Sequence, residues 1–390
     1  MSRERLLIIT NLFADPFSPT RATFSQQQFS RLRAHMDVHI VVPVSFIPVM
    51  RNLLAWRRLK RETEAKWPGV HYIVYWYVPG VMRGLHSWAL MASMLLQCFP
   101  TLFLRRWDLI LGSWAFPDAV VAAWVGALTR TPVAVHVLGS DINVFTQDSW
   151  RRRQILWTLG RAKAVLSVSQ ALVRKMVGMG APEAPMRVLY NGVDPERFHP
   201  LDRAAARARL GVGADEEMVL FVGNVLVTKG CGELLEAFHA LASKRPRLTL
   251  TYVGDGPMRA ALQARVAELG LQSRVRFAGR VMHDQLNSWF AASTLFCLPS
   301  YSEGVPNVVL EAMACARPVV ATDVGGIAEV LPPFAGGLIP PKDAPALAQK
   351  LDWALGQDWD LTRITAHAAT FDWDSNVAQF HQILTEAARH

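Results

Sequence analysis

A chain of 390 residues, 51% hydrophobic and 19% charged, is too long for one ordinary core and too apolar to be disordered, so it fits two globular domains. Its net charge of +9 is uneven: residues 1–190 carry 23 Lys and Arg against 10 Asp and Glu, and residues 191–390 carry 18 against 22. The basic half, which also holds nine of the 13 tryptophans, is the half suited to an anionic partner, and with no recognised nucleic-acid motif that partner is not expected to be nucleic acid.

In chain order, no secretory leader is expected, because Met1–Arg5 is polar and the apolar run after it is short. Arg5–Thr10, Val38–Pro43, Trp107–Gly112, Pro132–Val137 and Ala164–Ser167 read as strands separated by helical stretches. Val49–Trp67, basic with interleaved Leu and Trp, reads as an interfacial helix. Gly84–Leu104 has the length of a membrane span, but polar residues interrupt it, and a buried or membrane-surface helix is expected there. Turn and breaker residues in Val188–Pro200 mark a linker.

The alternation then restarts. Strands are expected at Met218–Val222, Leu248–Val253, Val275–Phe277, Leu295–Leu298 and Pro318–Thr322, helices at Gly230–Ser243, Met258–Leu269, His283–Ala291, Pro306–Cys315 and Ala344–Leu355, and a final helix at Asn376–Ala388. Two such βα halves imply two doubly wound parallel sheets, each binding ligands beyond the carboxyl ends of its strands. The expected domains are 1–190, 191–370 and a terminal helix over 371–390. The scattered Cys98, Cys231, Cys297 and Cys315 read as buried reduced thiols, and no metal-ligand cluster is seen.

The most informative string is Tyr301–Glu329. Glu303 precedes a Gly304–Pro306 turn that opens a helix, and Glu311 falls about a turn and a half inside it. The backbone amides of Val305 and Asn307 can meet an anion at the helix start, where Gly304 allows close approach. This block resembles the family 4 retaining glycosyltransferases of GT-B fold, whose two glutamates eight apart map onto Glu303 and Glu311; the linker NGVDPERF is similar as well. The resemblance implies two Rossmann-like domains facing each other across a cleft, with the C-terminal helix crossing back to the first. It implies metal-independent transfer from a nucleotide-sugar such as a UDP- or GDP-sugar, with no other cofactor. Glu303 would contact the donor sugar and Glu311 the ribose, with Gly304, Val305, Pro306 and Asn307 around them.

The resemblance also implies that the loop Phe221–Gly230 contacts the diphosphate through Gly223 and Lys229, although Asn224 stands where relatives have arginine. Gly254 and Arg280 would lie near the base. Toward the acceptor it implies Arg21, Trp114, Asp118 and Asp141. Ala22 replaces a glycine and would hinder a positive φ. Leu138 stands where many relatives have histidine, leaving His136, two residues earlier on the same strand face, either as a candidate catalytic group beside Glu303, Lys229 and Asp141 or as a core histidine. The basic, Trp-rich first half suggests an acceptor at the cytoplasmic membrane face, a glycan or lipid-linked glycan, with peripheral contact to anionic lipid, and cell-surface polysaccharide assembly as the setting. A nucleotide-sugar epimerase, a sugar phosphorylase and a non-catalytic nucleotide-binding scaffold stay open as alternatives.

Overall fold

The computed structural model describes residues 3–19, 21–80 and 82–389. Met1, Ser2, Thr20, Val81 and His390, which fall inside stretches read above, lie outside the described residues. The chain forms two compact units, Met1–Tyr190 with Trp373–His390, and Asn191–Asp372.

The first unit has strands β1 (Arg5–Ile9), β2 (Asp37–Ser45), β3 (Val70–Tyr75), β4 (Leu109–Ser113), β5 (Val133–Val137), β6 (Ala164–Ser167) and β7 (Met186–Val188). They pair in the order β3-β2-β1-β4-β5-β6-β7, all parallel. Side chains alternate across a strand, and both faces of this sheet are covered, so the central strands are apolar throughout. Leu7 and Ile9 of β1 join one buried cluster, and Leu6 and Ile8 join the other.

The second cluster is completed from the far end of the sequence. The helix Trp373–Arg389 repeats apolar residues at helical spacing and inserts Val377, Phe380, Ile383, Leu384 and Ala387 beside Leu6, Ile8 and Phe29. Gln28 donates to the Asn376 side-chain oxygen at 2.9 Å, and Asn376 donates to the Tyr190 carbonyl at 2.5 Å. The apolar segment Arg83–Leu104 is long enough to cross a membrane. Here it turns Leu90, Met94, Cys98 and Leu102 into the first cluster and leaves Trp88, Leu96, Phe99 and Leu104 exposed. The helix is interrupted at Cys98, whose φ of −139° is not helical. All four cysteines are buried and unpaired.

The second unit has β8 (Glu217–Val222), β9 (Leu248–Val253), β10 (Val275–Gly279), β11 (Leu295–Leu298), β12 (Val319–Thr322) and β13 (Gly336–Ile339). Their order β10-β9-β8-β11-β12-β13 is again parallel and doubly wound. In each unit the strand order reverses beside the first strand, between β1 and β4 and between β8 and β11. A crevice opens beyond the carboxyl ends of strands at such a point.

Candidate active site

At the reversal point of the second unit, the loop leaving β8 meets the loop leaving β11. Tyr301 N–H donates to the Thr228 carbonyl at 2.9 Å, which ties the two loops together. Lys229 Nζ then lies 2.5 Å from Glu303 Oε1, and both side chains are mostly shielded. Tyr301 donates to Glu233 and lies under the Lys342 ammonium, 4.9 Å from its ring centre.

The helix Asn307–Ala314 starts directly after this loop, with Pro306 at its N-cap and no side-chain cap. Its opening amides therefore keep donor capacity for an anion. Gly304 and Val305 are buried. The Gly304 carbonyl accepts from Gly326 N–H at 2.7 Å. Gly325 has φ 59°, and a Cβ there would come within 2.2 Å of the Glu303 carbonyl, so only glycine lets the two loops pack this closely. The Asn307 side chain is engaged: Asn191, from the linker, donates to its oxygen at 2.9 Å.

Glu311 is buried on the same helix. His283 Nε2 lies 3.1 Å from its Oε1, while Oε2 and His283 Nδ1 are buried and have no hydrogen-bond partner among the described residues. A carboxylate oxygen in that state can accept from a hydroxyl brought by a ligand.

Gly223 and Gly254 stand side by side at the ends of β8 and β9, and a Cβ on Gly254 would meet the Gly223 carbonyl at 1.9 Å. Asn224 is exposed. Arg280 is 87% exposed, with Asp255 3.9 Å away. Asp255 also lies 3.8 Å from Arg259.

The first unit brings its candidates to the β1–β4 reversal point, yet treats them differently. Asp118 is fully buried and accepts from Asn11 N–H at 2.8 Å through one oxygen, while the other has no partner among the described residues. Burial pushes this carboxyl well above the usual range, against the opposing pull of the Asn11 bond and Arg21. Arg21 is half-exposed, 3.6 Å from Asp15. Ala22 does adopt the left-handed backbone expected of a glycine, at φ 51° and ψ 55°, so the methyl group strains this turn without preventing it. Trp114 also has a positive φ, 103°.

Two of the catalytic candidates lie fully buried in the first unit. Asp141 is fully buried, and its carboxylate is occupied by backbone amides: Ala115 at 2.9 Å on one oxygen, and Gly139, Leu138 and Ile142 at 2.8, 3.1 and 3.1 Å on the other. It shapes the loops after β4 and β5 and is not exposed to a reacting group. His136 lies inside the core with its ring 5.7 Å from Phe380 of the C-terminal helix, and neither ring nitrogen has a partner among the described residues. Its strand face is the one this helix covers, and burial lowers its pKa to about 4.

Sequence reasoning passed over His283, which lies 28 residues from Glu311, and Asn191, which lies 116 from Asn307. No periodicity links either pair, though Asn191 stands in a linker string already singled out.

Comparison with known proteins decides the family. A family model described as Glycosyltransferase Family 4 matches residues 30–197, and one described as Glycosyl transferases group 1 matches residues 216–357. The chain is a family 4 glycosyltransferase. This glycosyltransferase is 29% identical over 359 residues to the Bacillus subtilis protein TuaC, named for teichuronic acid biosynthesis, a match covering 89% of this chain and 88% of that one. It is 37% identical over 216 residues to the D-inositol 3-phosphate glycosyltransferase of Streptomyces scabiei, covering 51% of this chain and 48% of that relative. The chain thus spans about half the length of that second relative. Among solved structures, Anabaena HepE in complex with UDP superposes with a TM-score of 0.75 at 22% identity, over 98% of this chain and 99% of that one. Sucrose-phosphate synthase from Thermosynechococcus elongatus gives a TM-score of 0.74 at 22% identity, with the same coverage. Both likenesses place the glycosyltransferase in the GT-B fold.

Proposed function

We propose that this glycosyltransferase moves a sugar from a nucleotide-sugar donor, with retention and without a metal ion, to a glycan or lipid-linked glycan in cell-surface polysaccharide assembly. The observation that carries the reading is the meeting of Lys229 and Glu303 beside an uncapped helix start at a sheet reversal point. A departing diphosphate there gains the Lys229 charge and the opening amides of the helix. Glu303 accepts from sugar hydroxyls, and Glu311, held by His283, accepts from the ribose. The bond from the anomeric carbon to the diphosphate breaks with its electron pair leaving on oxygen. The acceptor hydroxyl adds on the same face and gives its proton to that phosphate oxygen, so no side-chain base is required. This route fits a first unit in which Asp141 is occupied by backbone amides and His136 is buried in the core. The UDP in the HepE structure and the name of TuaC support donor class and setting.

Lys229→Ala and Glu311→Ala are expected to lower transfer about 100-fold each, in line with loss of one transition-state donor or donor-binding contact. Undiminished transfer in both would sink the reading, and nucleotide binding without any turnover in the wild type would favour the scaffold alternative.

The same reading places the enzyme peripherally at the inner face of the cell membrane. Leu96, Phe99 and Leu104 are exposed, and the exposed Arg105 and Arg106 follow Leu104 in the chain, a run of apolar and cationic side chains suited to an anionic bilayer surface. Flotation with phosphatidylglycerol vesicles is expected at low salt and lost at high salt; no flotation at low salt would refute it.

A further inference from the structure

We propose that the first unit carries a second anion site, for a diphosphate or similar multivalent phosphate, at the end of its sheet opposite the strand termini where a GT-B ligand sits. A cavity of about 360 Å³ opens where β5 and β6 begin, walled by Arg130, Arg161, Lys163 and Arg389. Its size falls within the roughly 300–1,000 Å³ of ordinary small-molecule sites.

The charge balance points to an anion. No carboxylate lines this cavity, and none of its four cations forms an ion pair among the described residues. Like charges around one hollow repel, and an anion between them removes that cost while gaining several charge-assisted hydrogen bonds. Guanidinium groups suit phosphate because their planar N–H forks match its oxygens.

The cations come from three separate elements, all four residues are exposed, and one side chain is held by a ring contact. Arg130 follows the helix Val120–Thr129 with φ 55°, a position that favours glycine. The Arg161 guanidinium stacks 4.3 Å from the Trp157 ring centre. Lys163, whose N–H is bonded to the Val133 carbonyl at 2.8 Å, lines both this cavity and a neighbouring one of about 170 Å³ that also holds Arg187 and Glu386. Arg389 arrives on the C-terminal helix. Ligands of doubly wound sheets bind beyond the strands' carboxyl ends, so this site is separate from the donor site and does not depend on the donor reading.

The test is calorimetric titration of the full chain with inorganic pyrophosphate at low salt. The Arg161→Gln/Lys163→Gln double variant and, from a different element, Arg130→Gln are each expected to weaken one binding class at least about tenfold, the loss of one or two charged contacts. That class should survive in Lys229→Ala, which removes only donor-side binding, and unfolding midpoints check that each variant is folded. Loss of vesicle flotation in the double variant assigns the phosphate to a lipid headgroup, and unchanged flotation assigns it to a soluble ligand. If no pyrophosphate class survives Lys229→Ala, or if both cavity variants bind as the wild type does, the site does not exist.

Discussion

The two units share one topology and use their reversal points in opposite ways. In the second unit, the loops after β8 and β11 hold Lys229 and Glu303 against each other, beside a helix start that has no side-chain cap. In the first, the loops after β1, β4 and β5 turn their acids inward: Asp118 onto Asn11, and Asp141 onto four amides. The lesson is that a carboxylate at the carboxyl end of a strand can serve a ligand or the loop itself. Asp141, with both oxygens filled by backbone N–H groups, serves the loop; Glu311, with one oxygen unpartnered among the described residues, is able to serve a ligand; and Asp118, with one oxygen bonded and one not, stands between them. Burial pushes the Asp141 carboxyl up further than its four bonds pull it down, the mark of a group held for shape.

The largest effect that would break this comparison is on folding. Asp141→Ala strands four amides in buried loops and is expected to cost about 4 kcal/mol in urea unfolding, each lost bond to a charged acceptor being worth roughly 1–3. Lys229→Ala breaks one ion pair and strands no backbone amide, so it should cost less than Asp141→Ala, about 1 kcal/mol, while suppressing transfer. Equal destabilisation by the two substitutions would erase the distinction drawn between the reversal points.

What could be read without coordinates follows the same physics. Central strands such as Leu6–Ile9 and Val219–Val222 are covered on both faces and stand out as unbroken apolar runs. The strands not foreseen, β3, β7 and β13, all lie at sheet edges. One is three residues long, one holds two glycines, and the third mixes His and Tyr with aliphatics. Edge strands need neither length nor continuous apolarity. On the donor side, Glu303, Gly304 and Asn307 sit in one short string and are legible as a group. The His283–Glu311 and Asn191–Asn307 contacts are made by the fold and have no local signature. His136 shows the limit of strand alternation: periodicity assigns its face but not the C-terminal helix, more than 200 residues later, that covers it.

That covered histidine gives the smaller and sharper test. With its pKa lowered to about 4 by burial, His136 is neutral in the folded state from pH 7 down to about pH 4, whereas an unfolded histidine gains its proton near pH 6.5. The unfolded chain therefore binds more protons between about pH 6.5 and 4, and this residue makes stability fall as pH is lowered through that window. Above it the residue has no pH effect. The full swing is on the order of 3 kcal/mol. His136→Leu removes two buried nitrogens that lack partners, so it is expected to raise stability at pH 7 by about 1 kcal/mol and to flatten the pH 4–6.5 slope of urea midpoints. If transfer activity fell with the substitution while the slope stayed unchanged, His136 would belong with the reacting groups after all, and the first reversal point would resemble the second.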